Sequence, residues 1–136
     1  MTAWPDGSTA HAWLEQARRD LDKASAMHES AVFEPGDVCA SAQQSAEKSL
    51  KAVLLHEGGE LHRTHDLREL RSRCAASLAP HVTDEYLDAL SALWTSSRYP
   101  GDWPQPTQAD AGKALEVASA LYVAAADMIA MKEDGR

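Results

Sequence analysis

The sequence predicts an all-α protein, an up-and-down bundle of four to five antiparallel helices. Apolar residues recur at three- and four-residue spacing in several segments, and side chains at this spacing share one face of a helix. Short connections containing Gly or Pro separate these segments, as they do in helical bundles. No segment has the alternating pattern that is typical of a half-buried strand, so an all-α fold is the class we expect.

Composition and charge restrict the classes of function. The chain has 136 residues, a length that favours one domain, and we divide it into a mobile lead-in at 1–10, a bundle at 11–132 and a tail at 133–136. Its formal net charge of −8 disfavours broad binding to nucleic acid, because such binding depends on Lys and Arg. We see neither a signal peptide nor an apolar run of ~20 residues, and we expect a cytoplasmic protein without membrane contact.

The first two helices are separated by a clear break. The first is predicted over residues 10–29. Residues 34–37, EPGD, then interrupt the chain, and Asp37 is expected to cap the second helix. The second helix begins near Val38 and ends at the Gly58-Gly59 pair, because glycine readily takes the left-handed conformation found at helix ends.

The third helix is predicted to begin between Thr64 and Asp66 and to end at Pro80. Asp66 and Glu69 have the spacing of a capping box at its start. Its inner face would consist of apolar residues at helical spacing, namely Leu67, Leu70, Cys74 and Leu78. The segment also contains the densest group of basic residues in the chain, namely Arg63, Arg68, Arg71 and Arg73.

Two further helices complete the predicted bundle. The fourth begins at Thr83 and ends at the turn formed by residues 98–101, RYPG, since Pro and Gly at its centre favour a type II turn. The fifth begins at Thr107, which faces Asp110 at capping-box spacing. Alanine-rich faces such as that of the fifth helix allow close approach, and we expect the chain to form a homodimer.

Three polar residues follow one another at four-residue spacing along one flank of the second helix: Gln43, Glu47 and Lys51. Glu47 precedes Lys51, which is the better order for an ion pair along a helix. The simpler interpretation is a solvated flank, in which case Glu47→Ala and Lys51→Ala would each cost less than about 1 kcal/mol. The alternative is a polar row that meets a ligand or a partner protein.

Several kinds of catalytic or metal site are not indicated. His56, His62 and His65 lie near one another in the sequence with Glu57 and Glu60, but this spacing fits no recognised metal site. The chain also lacks the Glu-x-x-His pairs of di-iron bundles, glycine-rich phosphate loops and a serine nucleophile elbow. We therefore expect neither a metal nor a cofactor.

Arg98 has two interpretations, which differ in whether lysine could take its place. It either offsets the negative end of the fourth helix, a role that Lys also fills, or its planar guanidinium binds a phosphate or carboxylate. The first is the simpler interpretation, whereas the rigid Pro100-Gly101 turn, which fixes the neighbouring side chain, is a reason for the second. Trp103 on the same loop is a separate candidate for stacking on a base or filling a partner's pocket. We expect Arg98→Lys and Trp103→Ala to leave the melting temperature within a few degrees and to weaken ligand binding by about tenfold.

Three sequence motifs follow one another along the chain: QQSAEKSLKAVL at 43–54, THDLREL at 64–70 and SRYP at 97–100. Together they resemble the motifs of the HEPN family, the nucleotide-binding domain of higher eukaryotes and prokaryotes, and the similarity extends over about residues 12–130. The resemblance implies an α-helical bundle that usually dimerises. It also implies frequent association with a small nucleotidyltransferase in toxin–antitoxin or defence systems, and many members are metal-independent RNases.

The resemblance also suggests which residues bind a ligand or a partner. The second-helix signature would consist of Gln43, Gln44, Glu47, Lys48 and Lys51, with His65, Asp66 and Leu67 opening the third helix and Arg98, Tyr99 and Pro100 matching the RYP turn. Trp103, on the loop after that turn, is a further candidate for the same site.

The chain departs from the nuclease branch of this family. That branch requires an arginine, four to six further residues and then a histidine, but Trp103, Pro104 and Gln105 follow Arg98 at those positions, and no other arginine fits. We therefore predict a non-catalytic module that binds a nucleotide or a partner protein. The alternative enzyme is a divergent metal-independent RNase whose composite dimer cleft uses Arg98 and Tyr99. A purely scaffolding bundle is the third interpretation.

Overall fold

Five helices make up the described part of the fold in a computed structural model of the chain. That part contains no β-strand, and the predicted all-α fold is confirmed. The helices are α1 (Ala10–Glu29), α2 (Pro35–His56), α3 (Leu67–Ser72), α4 (Asp84–Arg98) and α5 (Gln108–Glu133). The structure describes residues 3–61, 63–74, 78–80, 82–98 and 104–133, and only the backbone of residues 97, 98 and 131–133.

Helix α2 lies at the centre of the bundle and contacts each of the other four helices. Of its 22 residues, 14 are buried, so α2 is covered well beyond its apolar stripe. Small side chains permit this packing, since Ala42 and Ala46 of α2 and Ala17 and Ala24 of α1 are completely buried. Polar residues of α2 are therefore also enclosed by its neighbours.

Hydrogen bonds fix α2 against α1. The hydroxyl of Ser45 donates to the carbonyl oxygen of Ala17 at 2.8 Å, and the hydroxyl of Ser41 donates to the carbonyl oxygen of Asp20 at 3.1 Å. Helical carbonyl oxygens can accept these second bonds because each has two lone pairs. Nζ of Lys48 lies 2.8 Å from the carboxylate of the same Asp20. These contacts set the register of α1 against α2.

The start of α2 differs from the prediction. The helix begins at Pro35 rather than near Val38, and Asp37 is its third residue and not its cap. The carboxylate of Asp37 instead accepts a hydrogen bond from the backbone N–H of Glu34 at 3.0 Å. Proline suits the first helical position because its fixed φ matches the helix and it has no N–H to satisfy there.

Helix α3 is much shorter than predicted. It begins after Asp66, whose carboxylate caps it as expected, but it ends at Ser72 and does not reach Pro80. The guanidinium of Arg71 donates to the carbonyl oxygens of Val82 and Ala79, so the chain after α3 folds back across it. This return of the chain is incompatible with a helix that continues through residue 78.

The last two helices agree more closely with prediction. α4 ends at Arg98, and the capping box before α5 is confirmed, with Asp110 Oδ2 accepting from the Thr107 N–H at 2.8 Å and Thr107 Oγ1 accepting from the Asp110 N–H at 3.1 Å. Residues 99–103, which include the rest of the predicted turn and Trp103, lie outside the described residues. None of the described helices is long and apolar enough to cross a lipid bilayer.

Candidate functional site

The polar row of α2 is buried, and the interpretation of a solvated flank is wrong. The exposed fractions of Gln43, Glu47 and Lys51 are 0%, 4% and 8%. The cause is tertiary: α1 covers α2 on one side, and the segment before α3 covers this flank. Buried charges need partners, because transfer from water is costly unless hydrogen bonds replace those to solvent.

Glu47 supplies the partner for two other side chains. Its Oε2 lies 3.1 Å from Nζ of Lys51, and its Oε1 lies 2.6 Å from Nδ1 of His65. An ionised carboxylate has only acceptors, so Nδ1 of the imidazole is the donor in this contact. Nε2 is then the ring nitrogen that remains available to an approaching ligand, and the carboxylate fixes the orientation of the ring.

Two more contacts hold His65 in place. The side-chain Nε2 of Gln43 donates to the carbonyl oxygen of His65 at 2.9 Å, which ties the backbone before α3 to α2. The imidazole ring also lies 5.0 Å from the ring of Trp94 on α4, at a tilt of 35°. His65 is thus fixed through its ring nitrogen, its ring face and its carbonyl, although its side chain is 57% exposed.

Lys51 is held between the carboxylate of Glu47 and an aromatic ring of α1. Its Nζ lies 5.7 Å from the centroid of the Trp13 ring, a distance at which a cation and an aromatic face attract each other. The ammonium group has three donors, and one is directed at Glu47. The side chain is therefore fixed in position while donors remain for a second acceptor.

Lys51 and His65 open onto one surface cavity of about 290 Å³. Arg63 adds a second cation to the wall, and among the described residues it forms no ion pair with a carboxylate. Since Glu47 neutralises Lys51, Arg63 leaves the wall with a net positive charge in an otherwise acidic protein. The complete lining consists of Pro5, Trp13, Lys51, Leu61, Arg63, Thr64 and His65.

Other predicted site residues do not belong to this network. Lys48 points toward α1 and pairs with Asp20, and half-buried Gln44 lies outside the lining of the cavity. Asp66 caps α3, since its carboxylate accepts from the backbone N–H groups of Arg68 at 3.0 Å and Glu69 at 3.3 Å. Lys48 and Asp66 therefore have structural roles outside the lining of the cavity.

The remaining candidates lie at the end of α4 or after it. Arg98 is the last residue of that helix, but its side chain is outside the described part of the structure. Tyr99, Pro100 and Trp103 lie outside the described residues altogether. Their proposed contact with a ligand stays a prediction.

Thiol chemistry is not available at this site. Burial raises the pKa of the Cys39 thiol to about 11, with the nearby carboxylate of Asp110 adding to the effect. Burial likewise raises the pKa of the Cys74 thiol to about 12. Because the thiolate is the nucleophile, both cysteines are unreactive near neutral pH. Over the described ranges, no three His, Cys, Asp or Glu side chains converge as metal ligands.

Sequence reasoning misses two residues that the structure places at the cavity. The sequence pattern puts Trp13 only beside the core stripe of α1, and it presents Arg63 only as one of several arginines near α3. The first tryptophan of the chain, Trp4, also contacts the Trp13 ring, with centroids 5.8 Å apart. A pair of tryptophans flanking the start of an amphipathic helix is the signal that points to an aromatic cluster there.

Comparisons with known proteins agree with this architecture. A profile of the HEPN domain matches residues 10–128, which is most of the chain. The chain belongs to the HEPN family. This HEPN domain is similar to TT1696 from Thermus thermophilus, with a TM-score of 0.74 and 26% identity, covering 87% of this chain and 96% of that one.

A second solved structure gives a similar result. ST0689, an archaeal HEPN homologue, has a TM-score of 0.70 and 25% identity, and the match covers 90% of this chain and 98% of that one. No match was found among curated proteins. Within this HEPN domain, two of the three sequence motifs meet at the cavity: the α2 motif supplies Lys51 and the motif before α3 supplies His65, and Glu47 of the α2 motif contacts both side chains from behind the lining.

Proposed function

We propose that this HEPN domain is a non-catalytic module that binds a nucleotide in the cavity beside Lys51. The observation that carries the proposal is the lining itself, in which Lys51 and Arg63 stand beside the ring of Trp13. Cationic donors bind phosphate oxygens well, and an indole offers a surface on which a base can stack. The net charge of −8 makes two cations and an indole on one small wall a local feature and not a general property of the surface.

The absence of catalysis is proposed from the sequence of the chain. No arginine is followed by a histidine at the spacing that the family's nuclease branch uses. Nδ1 of His65 is held by Glu47, a contact that orients the ring. The missing Arg-His pair is therefore the feature from which we propose binding without turnover.

Calorimetric titration with ATP tests the proposal. We expect Arg63→Gln to weaken binding by about tenfold or more, because it removes the cation that has no carboxylate partner among the described residues. Arg19→Gln is the matched control, since Arg19 is exposed on α1 and lies outside the cavity. Equal affinity of wild type and Arg63→Gln for ATP would show that this cavity is not the nucleotide-binding site.

The RNase alternative predicts a different result. Purified protein incubated with RNA and a metal chelator should leave the RNA intact if the domain only binds. Cleavage that disappears in Arg98→Ala would establish the divergent RNase and overturn the non-catalytic function. An Arg19→Ala control would exclude a general effect of removing one positive charge.

We also propose that the domain works as a cytoplasmic homodimer with a nucleotidyltransferase partner in a toxin–antitoxin or defence system. The family resemblance and the two free cysteines support this context. Support for a second copy comes from α5, where Val123 is 52% exposed beside a cavity of about 560 Å³. Sedimentation at micromolar concentration should give twice the chain mass, and a monomer throughout would contradict the dimer.

A further inference from the structure

We propose that residues 3–8 form a strap that narrows the cavity and moves aside when a nucleotide binds. The proposal rests on the proposed nucleotide-binding function and adds regulation of the same site. It begins from the observation that Pro5, a residue of this segment, is one wall of the cavity that contains Lys51 and Arg63. The segment is thus positioned to control access to both cations.

Trp4 anchors the strap just beyond the C-terminal end of α2. Its indole Nε1 donates to the carbonyl oxygen of Gly59 at 2.8 Å. Its ring meets the ring of Trp13 edge to face, with centroids 5.8 Å apart and planes at 69°. A turn follows, closed by the Ser8 N–H donating to the Pro5 carbonyl oxygen at 3.0 Å, and Gly7 adopts a φ of +81° within it. This turn carries the chain directly into α1.

The strap lines two neighbouring cavities, and Pro5 contributes to both. A second cavity, also of about 290 Å³, lies on the other side of the segment and is lined by Asp6, Ser8 and Gln16 among others. Pro5 and Trp13 line both cavities. Pockets for small-molecule ligands usually have volumes of about 300–1,000 Å³, so each cavity alone is at the lower end of that range. Because Pro5, Asp6, Gly7 and Ser8 are walls of the second cavity, displacement of the strap would open the space around the Trp13 ring that both cavities share.

The contacts that anchor the strap are weak enough for it to detach readily. The hydrogen bond and the ring contact of Trp4 are both uncharged, and they are opposed by the conformational entropy of ordering residues 3–8. Ligand binding competes with the same Trp13 ring that Trp4 contacts. Closing the strap therefore lowers the apparent affinity for a nucleotide, because only the open fraction of molecules can bind.

Hydrogen exchange of the Trp4 indole N–H tests opening without any ligand. The indole resonance is assigned by its loss in Trp4→Phe, and its exchange is compared with that of the Leu50 amide in the middle of α2. We expect the Trp4 proton to exchange at least about 100-fold faster than the Leu50 amide, because the strap opens without global unfolding. Exchange of both protons at the same rate would overturn the strap.

Calorimetric titration of Trp4→Ala with ATP tests regulation. We expect affinity to rise about tenfold relative to wild type, with Trp4→Phe between them because it keeps the ring but loses the hydrogen bond to Gly59. Unchanged or weaker binding by Trp4→Ala would show that Trp4 is only a structural wall and overturn the inference. No ATP binding by either protein would overturn the proposed nucleotide function, while the exchange experiment would still decide whether the strap opens.

Discussion

Nδ1 of His65 lies 2.6 Å from Oε1 of Glu47, and this contact joins the loop before α3 to the central helix. The same carboxylate holds Nζ of Lys51 at 3.1 Å. The Glu47 side chain is only 6% exposed, whereas that of His65 is 57% exposed. A buried carboxylate thus positions two side chains that line a cavity.

Glu47→Ala should destabilise the protein by about 2–3 kcal/mol, because it leaves the largely buried ammonium of Lys51 without its carboxylate. This replaces the expectation of less than about 1 kcal/mol for an exposed pair. Urea denaturation provides the free energy of unfolding. Asp22→Ala, which breaks the exposed contact to Arg18 on α1, is the control and should have little effect. Equal stability of Glu47→Ala and wild type would show that the carboxylate does not hold Lys51.

Ser45→Ala and Ser49→Ala should have opposite outcomes, although both change a buried serine of α2 in the same way. Ser45 donates to the carbonyl oxygen of Ala17, so its loss should cost about 1 kcal/mol. The hydroxyl of Ser49 has no hydrogen-bond partner among the described residues, and its removal should leave stability unchanged or increase it. Thermal and urea unfolding of the two variants make the comparison. A greater loss in Ser49→Ala would contradict the packing described for α2.

Arg71→Lys should destabilise the chain more than Arg73→Lys. The guanidinium of Arg71 reaches two carbonyl oxygens, those of Val82 and Ala79, and a lysine cannot reproduce this forked contact. We expect a loss of about 1–2 kcal/mol in the free energy of unfolding. Arg73 is exposed and makes a longer contact of 3.7 Å to Glu69, so the same substitution there is the control. Equal losses would argue against Arg71 as the cause of the short α3.

Stability should fall with rising pH above about 9 because of the buried thiols. Burial raises the pKa of Cys39 from 9.0 to about 11. At pH values between these two, the folded chain keeps a thiol proton that the unfolded chain loses. The unfolded state then binds fewer protons, and stability decreases as pH rises toward the folded pKa. Between pH 9 and 10 wild type should lose about 1 kcal/mol more than Cys39→Ala, measured by urea denaturation. Parallel pH profiles would show that Cys39 does not titrate as described.

Much of the fold could be predicted from local sequence signals. The bounds of α1 and the capping box at Thr107 and Asp110 follow from side-chain chemistry within one turn of helix, and the structure contains both. The length of α3 could not be predicted in this way. Its end depends on Arg71 meeting carbonyl oxygens eight and eleven residues later, which is a tertiary contact without a periodic sequence pattern.

The candidate site is only partly visible in the sequence. The spacing of Gln43, Glu47 and Lys51 identifies a row on one helix, but its burial depends on the loop that carries His65. Polar residues recur at four-residue spacing on exposed and on buried flanks of helices alike, so this pattern does not reveal burial. The sequence alone therefore favours the simpler interpretation, a solvated flank. The sequence does not identify Trp13 and Arg63 as site residues, because the packing of α1 and of the loop before α3 is what brings them to Lys51.

The most direct test of the account is to locate the nucleotide by NMR during a titration with ATP. His65 lines the cavity and its Nδ1 is held by Glu47, so its imidazole resonances should move with ATP occupancy. Those of His28, near the other end of α1 and beside Gly112, should remain in place. Saturable ATP binding that leaves the His65 resonances unmoved would contradict the claim that this cavity is the binding site.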